Sequence, residues 1–497
     1  MTEADSAVSD GTGSPVPAHA EALVLGGGPC GLYAALTLAR AGKKVVLLEK
    51  EEVPGGLARG HRRGNNYYDL GVHMLHAFDP EVFETIKGIM GDERVEVPLN
   101  ALIKWAGSFY RYPLQFGDMV KGMNKVVLLK CCLGLLAYQF RFKVRPREPQ
   151  NAEEALIQLY GRPLYRFFFR EFTHRYWGFP PTQLSATFIT TKMPRLSAVD
   201  VIKKALAKIG VKDRTVRAVE SALSEEILHY SRNGAEAMPR LLVAEIERMG
   251  CRVVTNAEVR GVVTDPDTNR VTGVTWRDPR VEGDGGAVHR LTCDLVVATI
   301  PVGQLVTAFD DAAPATVREA AASLRTKPIA IYGLLVNKPR AIDALYIYYR
   351  NKYFHRVGEP KNAGLIVDPP DHTVLIVEMT CEIGDAKWNG DPEAMDAVAA
   401  DLEAEGLCTR DQIVETHVLR TPHGYPIFDL GFEKHLGAVQ SFLDGFANIV
   451  STGRQGGFCY PNMHKAMRMG ADAATAVLER TGTEARFARP DRVDSMT

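Results

Sequence analysis

The feature that most constrains this chain is a glycine-rich turn between a strand and a helix near the N-terminus. The segment "EALVLGGGPCGLYAALTLARAGKKVVLLEK" (21–50) begins with an apolar run, followed by three consecutive glycines and a stretch rich in alanine and leucine. This order predicts a buried strand at 21–25, a helix at 29–41 and a second buried strand at 44–49. Such a strand–helix–strand unit is typical of a doubly wound α/β domain with a parallel sheet.

Three glycines of this turn have the spacing G-x-G-x-x-G. Gly26 permits the tight turn, Gly28 lets a pyrophosphate approach the backbone, and Gly31 lets the helix pack closely on the strand. Free N–H groups and the positive end of the helix dipole then face the phosphates. Glu49 closes the second strand 18 residues after Gly31, where its carboxylate can accept a hydrogen bond from a ribose hydroxyl. The motif therefore predicts a bound dinucleotide.

A second glycine turn follows the acidic residue. In "EKEEVPGGLARG" (49–60), two glycines and an arginine come shortly after Glu49. This segment is typical of two-domain flavoproteins, in which a second turn and a basic side chain attend the same dinucleotide, so we expect FAD. A solvated surface charge is the alternative interpretation of the arginine. The predicted cofactor residues of this segment are Lys50, Gly56, Leu57 and Arg59.

Composition and charge argue against several partner classes. The 497 residues are 46% hydrophobic and 24% charged, as is ordinary for a globular protein, and the net charge of −1 gives no indication of a nucleic-acid partner. The eight cysteines form no C-x-x-C pair and no metal-ligand spacing with the histidines, which predicts free thiols and no metal site. Residues 1–19 lack Lys, Arg and an apolar core, so we expect a disordered lead-in and a cytoplasmic protein.

One apolar stretch raises the question of a membrane. The segment "VVLLKCCLGLLAYQF" (126–140) contains Lys130 and is shorter than the roughly 20 residues that span a bilayer. A buried helix, or one that lines a substrate channel, is one interpretation. The other is peripheral membrane contact through 126–147, or a lipid-tailed substrate, because basic residues follow the apolar run. These basic residues are Arg141, Lys143, Arg145 and Arg147.

Further along the chain the simple strand–helix alternation ends. Residues 151–177 are predicted to be helical and aromatic, and 196–250 to contain helices. Segments rich in β-formers follow, with turns at 265–269 and 282–286, and "CDLVVATIP" (293–301) is typical of a buried parallel strand. Four more strands are expected, in "IAIYGLLVN" (329–337), "ALYIYYRN" (344–351), "AGLIVD" (363–368) and "TVLIVEMT" (373–380).

These patterns together predict an α/β protein with two interleaved parts. A Rossmann-type FAD-binding domain would alternate along the chain with a mixed α+β substrate domain. The expected bounds are 20–100 with about 220–320 and 440–480 for the FAD-binding domain, about 101–219 for a helical region, 321–439 for a β-rich substrate domain, and 481–497 for a tail.

From about residue 21 to residue 478 the chain resembles the flavin amine oxidase and protoporphyrinogen-oxidase superfamily. The glycine motif, the G-G-x-x-R segment at 55–59 and "YSRNGAEAMPRLL" (230–242) carry this resemblance. Narrower motifs are similar to those of UDP-galactopyranose mutase and of oxidoreductases related to it. These motifs are "DLGVHMLHAFD" (69–79), "SFYRYPLQF" (108–116), "REFTHRYWGFPPTQLSA" (170–186), "YFHRVGEPKN" (353–362) and "GRQGGFCYPNM" (453–463).

The resemblance implies where the cofactor and the substrate would bind. It carries over His73 and His76, the second of which would lie beside the isoalloxazine ring. Phe172 and Trp177 would help to hold a nucleotide, and Arg356 would meet a substrate phosphate. His76 and Arg356 are the candidate catalytic residues. The other residues expected to contact FAD are Val259, Gly453, Arg454, Asn462 and Met463, and Tyr460 is expected to contact the substrate phosphate.

Simpler interpretations stand beside these roles. His73 and His76 are also consistent with packed, hydrogen-bonded histidines beneath a loop. Phe172 and Trp177 lie in a segment so rich in aromatic residues that core packing alone explains them. Arg356 is different, because a lone arginine among aromatic residues of a β-rich segment requires a partner or a cleft.

The chain departs from the mutase pattern in its expected substrate contacts. Where the mutase has an arginine on each side of an x-Pro-x element, this chain has Lys192 at the first position and Arg195 one residue before the second. Both are retained as expected substrate contacts. Asn462 stands in place of the mutase's aspartate, and no paired tyrosine segment for a diphosphate is evident near 331–349. Loss of an arginine removes a charge-assisted contact to a diphosphate, which argues against recognition of a UDP-sugar.

Two reactions fit this pattern of residues. In the first, which we favour, flavin N5 accepts a hydride from a small-molecule or sugar-containing biosynthetic substrate. In the second, reduced flavin attacks the anomeric carbon of a nucleotide sugar and the ring isomerises between pyranose and furanose. A flavin-binding protein without catalysis is a third hypothesis. The expected partner is a small molecule, which includes a nucleotide- or lipid-linked sugar.

Overall fold

The computed structural model describes residues 16–112, 114–192, 226–281 and 287–480. Most of the expected lead-in and the tail lie outside the described residues, as do Arg195 and the turn predicted at 282–286. The part of the predicted helical region between 193 and 225 also lies outside them.

The strands of the described chain form two large sheets and two small ones. In chain order they are β1 (His19–Leu25), β2 (Val45–Leu48), β3 (Gly60–Arg63), β4 (Asn66–Asp69), β5 (Leu75–His76), β6 (Arg94–Pro98), β7 (Ala101–Trp105), β8 (Ser108–Arg111), β9 (Ile227–Ser231), β10 (Arg252–Val254), β11 (Glu258–Asp265), β12 (Arg270–Arg277), β13 (His289–Ala298), β14 (Thr326–Val336), β15 (Tyr346–Tyr349), β16 (Arg356–Gly358), β17 (Thr373–Thr380), β18 (Ile413–Pro426) and β19 (Ile449–Ser451).

Helices cover both large sheets, and a π-helical turn at Tyr165–Phe169 joins two of them. In chain order they are α1 (Pro29–Arg40), α2 (Pro80–Met90), α3 (Phe116–Gly122), α4 (Lys125–Val144), α5 (Ala152–Leu164), α6 (Arg170–Trp177), α7 (Ala186–Lys192), α8 (Ala237–Arg248), α9 (Val302–Ala308), α10 (Ala315–Ser323), α11 (Ala386–Asn389), α12 (Pro392–Ala404), α13 (Phe432–Leu443), α14 (Gly453–Gly456) and α15 (Met463–Glu479).

The first large sheet has the strand order β10-β2-β1-β13-β12-β11, with β19 beside β13. The strands β10, β2, β1, β13 and β19 run parallel, whereas β12 and β11 are antiparallel to their neighbours. The sheet thus takes strands from the beginning, middle and end of the chain. The predicted fold class, a Rossmann-type unit interleaved with a mixed α+β unit, is confirmed, and the exact domain bounds stay predictions.

Both faces of this sheet are buried, because helices lie on each side of its parallel strands. Along β1, Leu23 and Leu25 contact one apolar cluster, while Ala22 and Val24 contact the other. Helices α1 and α15 pack together within the second cluster. A Cβ added to Gly470 would lie only 2.1 Å from the carbonyl oxygen of Cys30, so glycine permits this close approach.

The second large sheet has the order β18-β14-β17-β16-β15-β7-β8. Its strands β7 and β8 come from 101–111, which was predicted to begin a helical region, and β7 pairs parallel with β15. The prediction of a strand at 363–368 is wrong. A short 3₁₀ turn at Pro360–Ala363 and a loop occupy this segment. Ala363, Leu365 and Val367 are buried in the core, whereas Ile366 is exposed and donates its backbone N–H to the carbonyl of Arg232 outside any ladder.

Helix α4 contains the apolar stretch at 126–140 and extends beyond it. Its buried residues are Leu128, Cys131 and Leu135, and several other apolar side chains face solvent. The prediction of a buried or channel-lining helix is therefore wrong for the side of α4 that faces solvent. No helix within the described ranges combines the length and apolar character needed to cross a membrane.

Helix α5 passes through the π-helical turn into α6 and positions a run of aromatic residues. Gly161 has φ of +74°, and Pro163 lies just beyond it, so the helix is kinked at this point. The predicted helical and aromatic character of 151–177 is confirmed. After the kink, Phe168 and Phe172 line a large cavity.

Candidate functional site

A cavity of about 820 Å³ is lined by residues from both large sheets. Most of the residues predicted to contact the cofactor line it. They are Gly26, Gly28, Glu49, Lys50, Gly56, Leu57, Arg59, His73, Val259, Arg454, Asn462 and Met463. The candidate catalytic residues His76 and Arg356 and the predicted substrate contacts Phe172, Trp177 and Tyr460 line it as well.

Two predicted glycines shape the turns without lining the cavity. A Cβ on Gly31 would lie 1.9 Å from the carbonyl oxygen of Gly26, which no rearrangement of a side chain relieves. Gly453 has φ of +79°, and its Cβ would lie 2.8 Å from Sγ of Cys30. Both glycines therefore allow close packing beneath the cavity wall.

The two glycine turns are in close backbone contact at one end of the cavity. A Cβ on Gly56 would lie 3.1 Å from Cα of Gly28, and Gly56 has φ of +53°. Gly28 is the N-cap of α1 and lines the cavity, so this helix begins at the cavity wall with N–H groups that have no partner within the helix. An anionic group bound at this end of the cavity would meet backbone donors and the positive end of the helix dipole. We call Gly26, Gly28, Gly56, Glu49 and Arg59 the glycine cradle.

Glu49 is held by the backbone beside this gap. Its Oε2 accepts a hydrogen bond from the N–H of Gly27 at 2.5 Å, and its Oε1 accepts one from the N–H of Glu51 at 2.9 Å. Burial raises the pKa of Glu49, and these two hydrogen bonds oppose the rise. Each carboxylate oxygen keeps a lone pair that can accept a ribose hydroxyl.

Arg59 is buried rather than solvated, so the interpretation as a surface charge is wrong. Its guanidinium forms an ion pair with Glu51 at 2.8 Å. Its Nε has no hydrogen-bond partner among the residues that the structure describes. Nε of Arg59 can therefore donate a hydrogen bond to a ligand in the glycine cradle, although the positive charge of Arg59 is already compensated by Glu51.

The rest of the cavity is walled by aromatic rings. Tyr425 and Tyr460 are stacked with ring centroids 5.2 Å apart, and Tyr176 lies 5.3 Å from Tyr425. The guanidinium carbon of Arg454 lies 4.2 Å from the Tyr460 ring centroid and 5.2 Å from that of Tyr425. We call Tyr176, Tyr425, Tyr460, Tyr346 and Tyr348 the aromatic pocket. The structure thereby brings together Arg454 and Tyr460, which were predicted to contact different ligands.

Phe172 and Trp177 serve both the cavity and the core. Phe172 stacks on Tyr176 at 5.6 Å, whereas Trp177 is only 3% exposed and packs edge-on against Phe188. Core packing and a role in ligand binding are therefore compatible for Trp177. Lys192 ends α7, and its side chain lies outside the described part of the chain, as does all of Arg195.

Arg356 has the partner that the sequence required but did not identify. Its Nη2 donates to both carboxylate oxygens of Glu378, at 2.5 and 2.6 Å, and these two residues are direct cross-strand neighbours on β16 and β17. Burial alone would raise the pKa of Glu378, but the charge of Arg356 and the nearby imidazole of His355, whose Nε2 lies 3.6 Å from Oε2, lower it to about 2. The positive charge predicted for a substrate phosphate is therefore already compensated.

A pair of tyrosines faces the cavity beside Arg356. Tyr346 and Tyr348 alternate along β15 and both line the cavity, with their rings 5.4 and 5.5 Å from the Arg356 guanidinium carbon. The hydroxyl of Tyr348 accepts a hydrogen bond from Nη1 of Arg356 at 3.3 Å. Two tyrosines therefore lie side by side at the cavity wall within 331–349, where no paired tyrosine segment for a diphosphate was evident from the sequence.

His76 is paired with Glu226, a residue that the sequence did not single out. Nδ1 of His76 and Oε1 of Glu226 share a short hydrogen bond at the cavity wall. This contact leaves Nε2 of His76 for a ligand. Phe78 stacks on the imidazole ring at 5.3 Å, and His464 meets it edge-on at 5.6 Å.

His73 lies deeper, and its Nδ1 has no hydrogen-bond partner among the described residues. Burial lowers the pKa of His73 to about 4, with the charges of Arg356 and Arg454 contributing and Glu378 opposing. The imidazole is therefore neutral near pH 7. A fully hydrogen-bonded packing role does not account for this free nitrogen.

Several residues of the cavity were missed because no local pattern marks them. Arg350 is an example, since it lies over the ring of Trp105 at 3.9 Å, and burial lowers its pKa to about 10. These residues come from distant strands and loops, and only their tertiary neighbours show their role. The missed residues that line the cavity are Glu226, Tyr346, Tyr348, Arg350 and Tyr425, and Glu378 was missed as the partner of Arg356.

A family profile described as flavin containing amine oxidoreductase matches residues 29–344. A probable UDP-galactopyranose mutase of Klebsiella pneumoniae is 23% identical over 176 residues, which are 34% of this chain and 43% of that protein. The chain thus matches less than half of the length of this curated relative.

Solved structures with low sequence identity share the fold along nearly the whole chain. The crystal structure of a reduced UDP-galactopyranose mutase has a TM-score of 0.75 at 18% identity and covers 92% of this chain and 94% of that one. A putative protoporphyrinogen oxidase from Exiguobacterium sp. 255-15 has a TM-score of 0.64 at 17% identity, with 92% and 98% covered. At these identities the similarity establishes the architecture.

Proposed function

Because the chain belongs to the flavin containing amine oxidoreductase family, we propose that it is an FAD-dependent oxidoreductase that removes a hydride from a C–H bond of a small-molecule substrate. The observation that carries this proposal is the buried ion pair of Arg356 and Glu378 at the wall of the aromatic pocket. A compensated charge among tyrosines suits a neutral hydroxylated or amine substrate better than a diphosphate.

The residues present fit FAD. The glycine cradle offers backbone donors for the pyrophosphate, and Glu49 offers an oriented carboxylate for a ribose hydroxyl. Met463 and Asn462, at the start of α15, together with His73, are the residues that would meet the flavin ring. When bound, FAD supplies a two-electron acceptor.

His76 and Glu226 are arranged to move the accompanying proton. With Glu226 accepting the hydrogen bond from Nδ1–H, the imidazole presents Nε2 as a proton acceptor in the cavity. The proton would come from the hydroxyl or amine on the carbon that loses the hydride. Glu226 would fix the tautomer and orientation of the ring and stabilise its charged form.

The aromatic pocket would orient the substrate and exclude water. Stacked rings such as Tyr425 and Tyr460 suit the flat or apolar face of a small molecule, including a sugar. The hydroxyl of Tyr348, held by Arg356, is a polar group that can bind a substrate hydroxyl. The biosynthetic role and the cytoplasmic location stay predictions.

A second candidate is an isomerase of nucleotide-sugar pyranose and furanose rings. The tyrosine pair at 346 and 348, beside Arg356, supports it, since two phenolic hydroxyls and a guanidinium suit a diphosphate. This reaction would use reduced flavin as a nucleophile. It would also require the diphosphate to compete with Glu378 for Arg356.

The two candidates differ in which redox state of the flavin reacts. We would screen the purified yellow protein by thermal shift with amines, nucleotide sugars and lipid-linked sugars, and mix each hit anaerobically with oxidised enzyme. Bleaching of the flavin by a hit, lost in His76→Gln but kept in His174→Gln, supports the oxidoreductase. His174 is an exposed histidine of α6 and serves as the matched control.

The same preparation tests the isomerase. Dithionite-reduced enzyme would be mixed with UDP-hexoses, and ring contraction would be followed by chromatography. Contraction that depends on the reduced form, or a flavin–sugar adduct trapped by a borohydride reagent, would overturn the oxidoreductase proposal. A colourless protein that takes up no FAD would contradict both candidates.

A further inference from the structure

The outer face of α4 carries a continuous apolar stripe. Val126, Leu129, Leu133, Phe140 and Val144 are each 57–71% exposed. At 3.6 residues per turn, these five positions fall within roughly 60° of the helix circumference. They extend along almost the entire helix. We call these five residues the outer stripe.

The opposite face of α4 fixes the helix to the protein. Leu128, Cys131 and Leu135 are buried about 180° away from the outer stripe. A Cβ added to Gly161 of α5 would lie 2.7 Å from the backbone carbon of Gly134, so the two backbones are in close contact there. The helix cannot roll its outer stripe inward without breaking this packing.

Basic side chains flank the outer stripe on both sides. Lys130 and Arg141 project on one side of it, and Lys125 and Lys143 on the other, at angles of roughly 40–100° from its centre. All charged residues between 119 and 147 are basic, and all are exposed. They are Lys121, Lys125, Lys130, Arg141, Lys143, Arg145 and Arg147, of which Arg147 pairs with Glu154 at 3.4 Å.

We propose that α4 docks on the surface of a bilayer that contains anionic phospholipids, with its axis parallel to the membrane plane. An apolar stripe bordered by lysines and arginines is the pattern of an interfacial helix, in which the stripe enters the acyl boundary and the basic groups reach the headgroups. A second copy of this chain is a poorer occupant, because two such faces would oppose basic residues with basic residues.

Docking through α4 would bring the cavity near the membrane without requiring any particular reaction. Helix α5 packs against α4 and continues through the π-helical turn, whose Phe168 and Phe169 line the cavity. The helix that packs against α4 therefore continues into the wall of the cavity. The proposal does not depend on the proposed function.

Cosedimentation with vesicles tests the proposal on the full-length FAD-loaded protein. Vesicles of phosphatidylcholine with a minor fraction of phosphatidylglycerol would be compared with vesicles of phosphatidylcholine alone. We expect binding to the anionic vesicles that falls as salt is raised. The double variant Leu129→Glu/Leu133→Glu should bind at least about tenfold more weakly, since it places two charges on the buried side of the interface.

A matched variant controls for the loss of an exposed apolar residue elsewhere. Ile383→Glu changes a 64% exposed isoleucine in the loop after β17, outside α4, and should leave vesicle binding unchanged. Retained FAD and an unchanged melting temperature show that each variant is folded. The variant Lys130→Gln/Arg141→Gln should weaken binding to anionic vesicles several-fold and remove part of its salt dependence.

Three outcomes would overturn the proposal. The first is no binding of the wild-type protein to anionic vesicles at low salt. The second is equal binding of the wild type and Leu129→Glu/Leu133→Glu. The third is a wild-type dimer in analytical ultracentrifugation that this variant converts to a monomer, which would make the outer stripe an interface between two copies.

Discussion

The glycine cradle and the aromatic pocket line one cavity but are built in different ways. The cradle consists of backbone and of side chains held by backbone, as Glu49 is by the N–H groups of Gly27 and Glu51. Its members lie within 26–59. The pocket consists of tyrosine side chains from distant parts of the chain, and Arg356 on β16, paired with Glu378 on β17, lies beside two of them.

This difference implies that the cofactor and the substrate are recognised in different ways. A backbone cradle recognises the phosphates and ribose that every dinucleotide has, so its geometry tolerates little change. A pocket of side chains can be altered residue by residue on the same scaffold. Substitutions should therefore separate cofactor binding from substrate binding, and the following predictions test that separation from the largest effect to the smallest.

Gly31→Val should abolish FAD binding. The new Cβ would start 1.9 Å from the carbonyl oxygen of Gly26 and 2.9 Å from Oγ1 of Thr299, so the cradle must open. The flavin absorbance per protein after gel filtration measures this effect. Gly88→Val is the control, because a Cβ there meets nothing within 4 Å. Full FAD occupancy in Gly31→Val would contradict the role of this glycine.

Glu378→Gln should lower the free energy of unfolding by about 3–5 kcal/mol, because it leaves Arg356 charged and uncompensated in a buried site. FAD should still bind, since the cradle is untouched. Arg356→Met/Glu378→Met removes both charges and should recover most of the stability. The free energy of unfolding of both variants would be measured by denaturant titration, in which the loss of the flavin signal and of the circular dichroism signal is followed. If Glu378→Gln lowers the free energy of unfolding by less than about 1 kcal/mol, Arg356 and Glu378 do not stabilise the fold as a coupled pair.

Asp69, the last residue of β4, is a buried carboxylic acid. It should therefore make the stability of the protein depend on pH. Burial raises its pKa from 3.8 to about 6, against the hydrogen bonds donated by Tyr230 and Ala235. The folded state therefore holds this proton more tightly than the unfolded state. Its stabilising contribution is complete below about pH 4 and is lost as the pH rises through about 6, a change of about 3 kcal/mol.

The pH dependence can be isolated by comparison with Asp69→Asn, which has no titrating group at this position. The free energy of unfolding of both proteins would be measured between about pH 4 and pH 7. The wild type should lose stability relative to the variant as the pH rises through this range. Parallel curves would contradict the assignment to Asp69.

Glu226→Gln should reduce turnover about 10- to 100-fold without loss of FAD, because His76 loses the carboxylate that orients it. The pH profile of kcat should change along with its size, which a merely structural role would not produce. Glu84→Gln, at an exposed position of α2, is the matched control. An unchanged profile in Glu226→Gln would rule out this pairing as part of proton transfer.

The strand–turn–helix unit that carries the cradle was predicted from the sequence because its determinants are local. Gly26, Gly28 and Gly31 stand at fixed spacing between a strand and a helix, and hydrophobic periodicity identifies both elements. The aromatic run at 151–177 was likewise readable as helical from its pattern. The loop at 363–368 was wrongly predicted as a strand, because Ala363, Leu365 and Val367 are buried in a core while the backbone joins no sheet.

The partners of the pocket could not be predicted in the same way. Arg356 was identified as a residue that needs a partner, but Glu378 is found only when β16 and β17 are paired. His76 was identified as a candidate, but Glu226 is 150 residues away in the chain. Contacts of this kind depend on strand register and on chain crossings, which no local spacing encodes.

By itself, the sequence determined the dinucleotide turn, the fold class and the choice of FAD, because local backbone geometry and apolar periodicity impose them. The tertiary structure decided that the charge of Arg356 is compensated, that His76 has a carboxylate partner and that α4 turns an apolar stripe outward. Those properties depend on which distant side chains share a buried space and on which faces remain uncovered. They follow from packing, since the cost of burying a charge or exposing an apolar surface is set only by the neighbours.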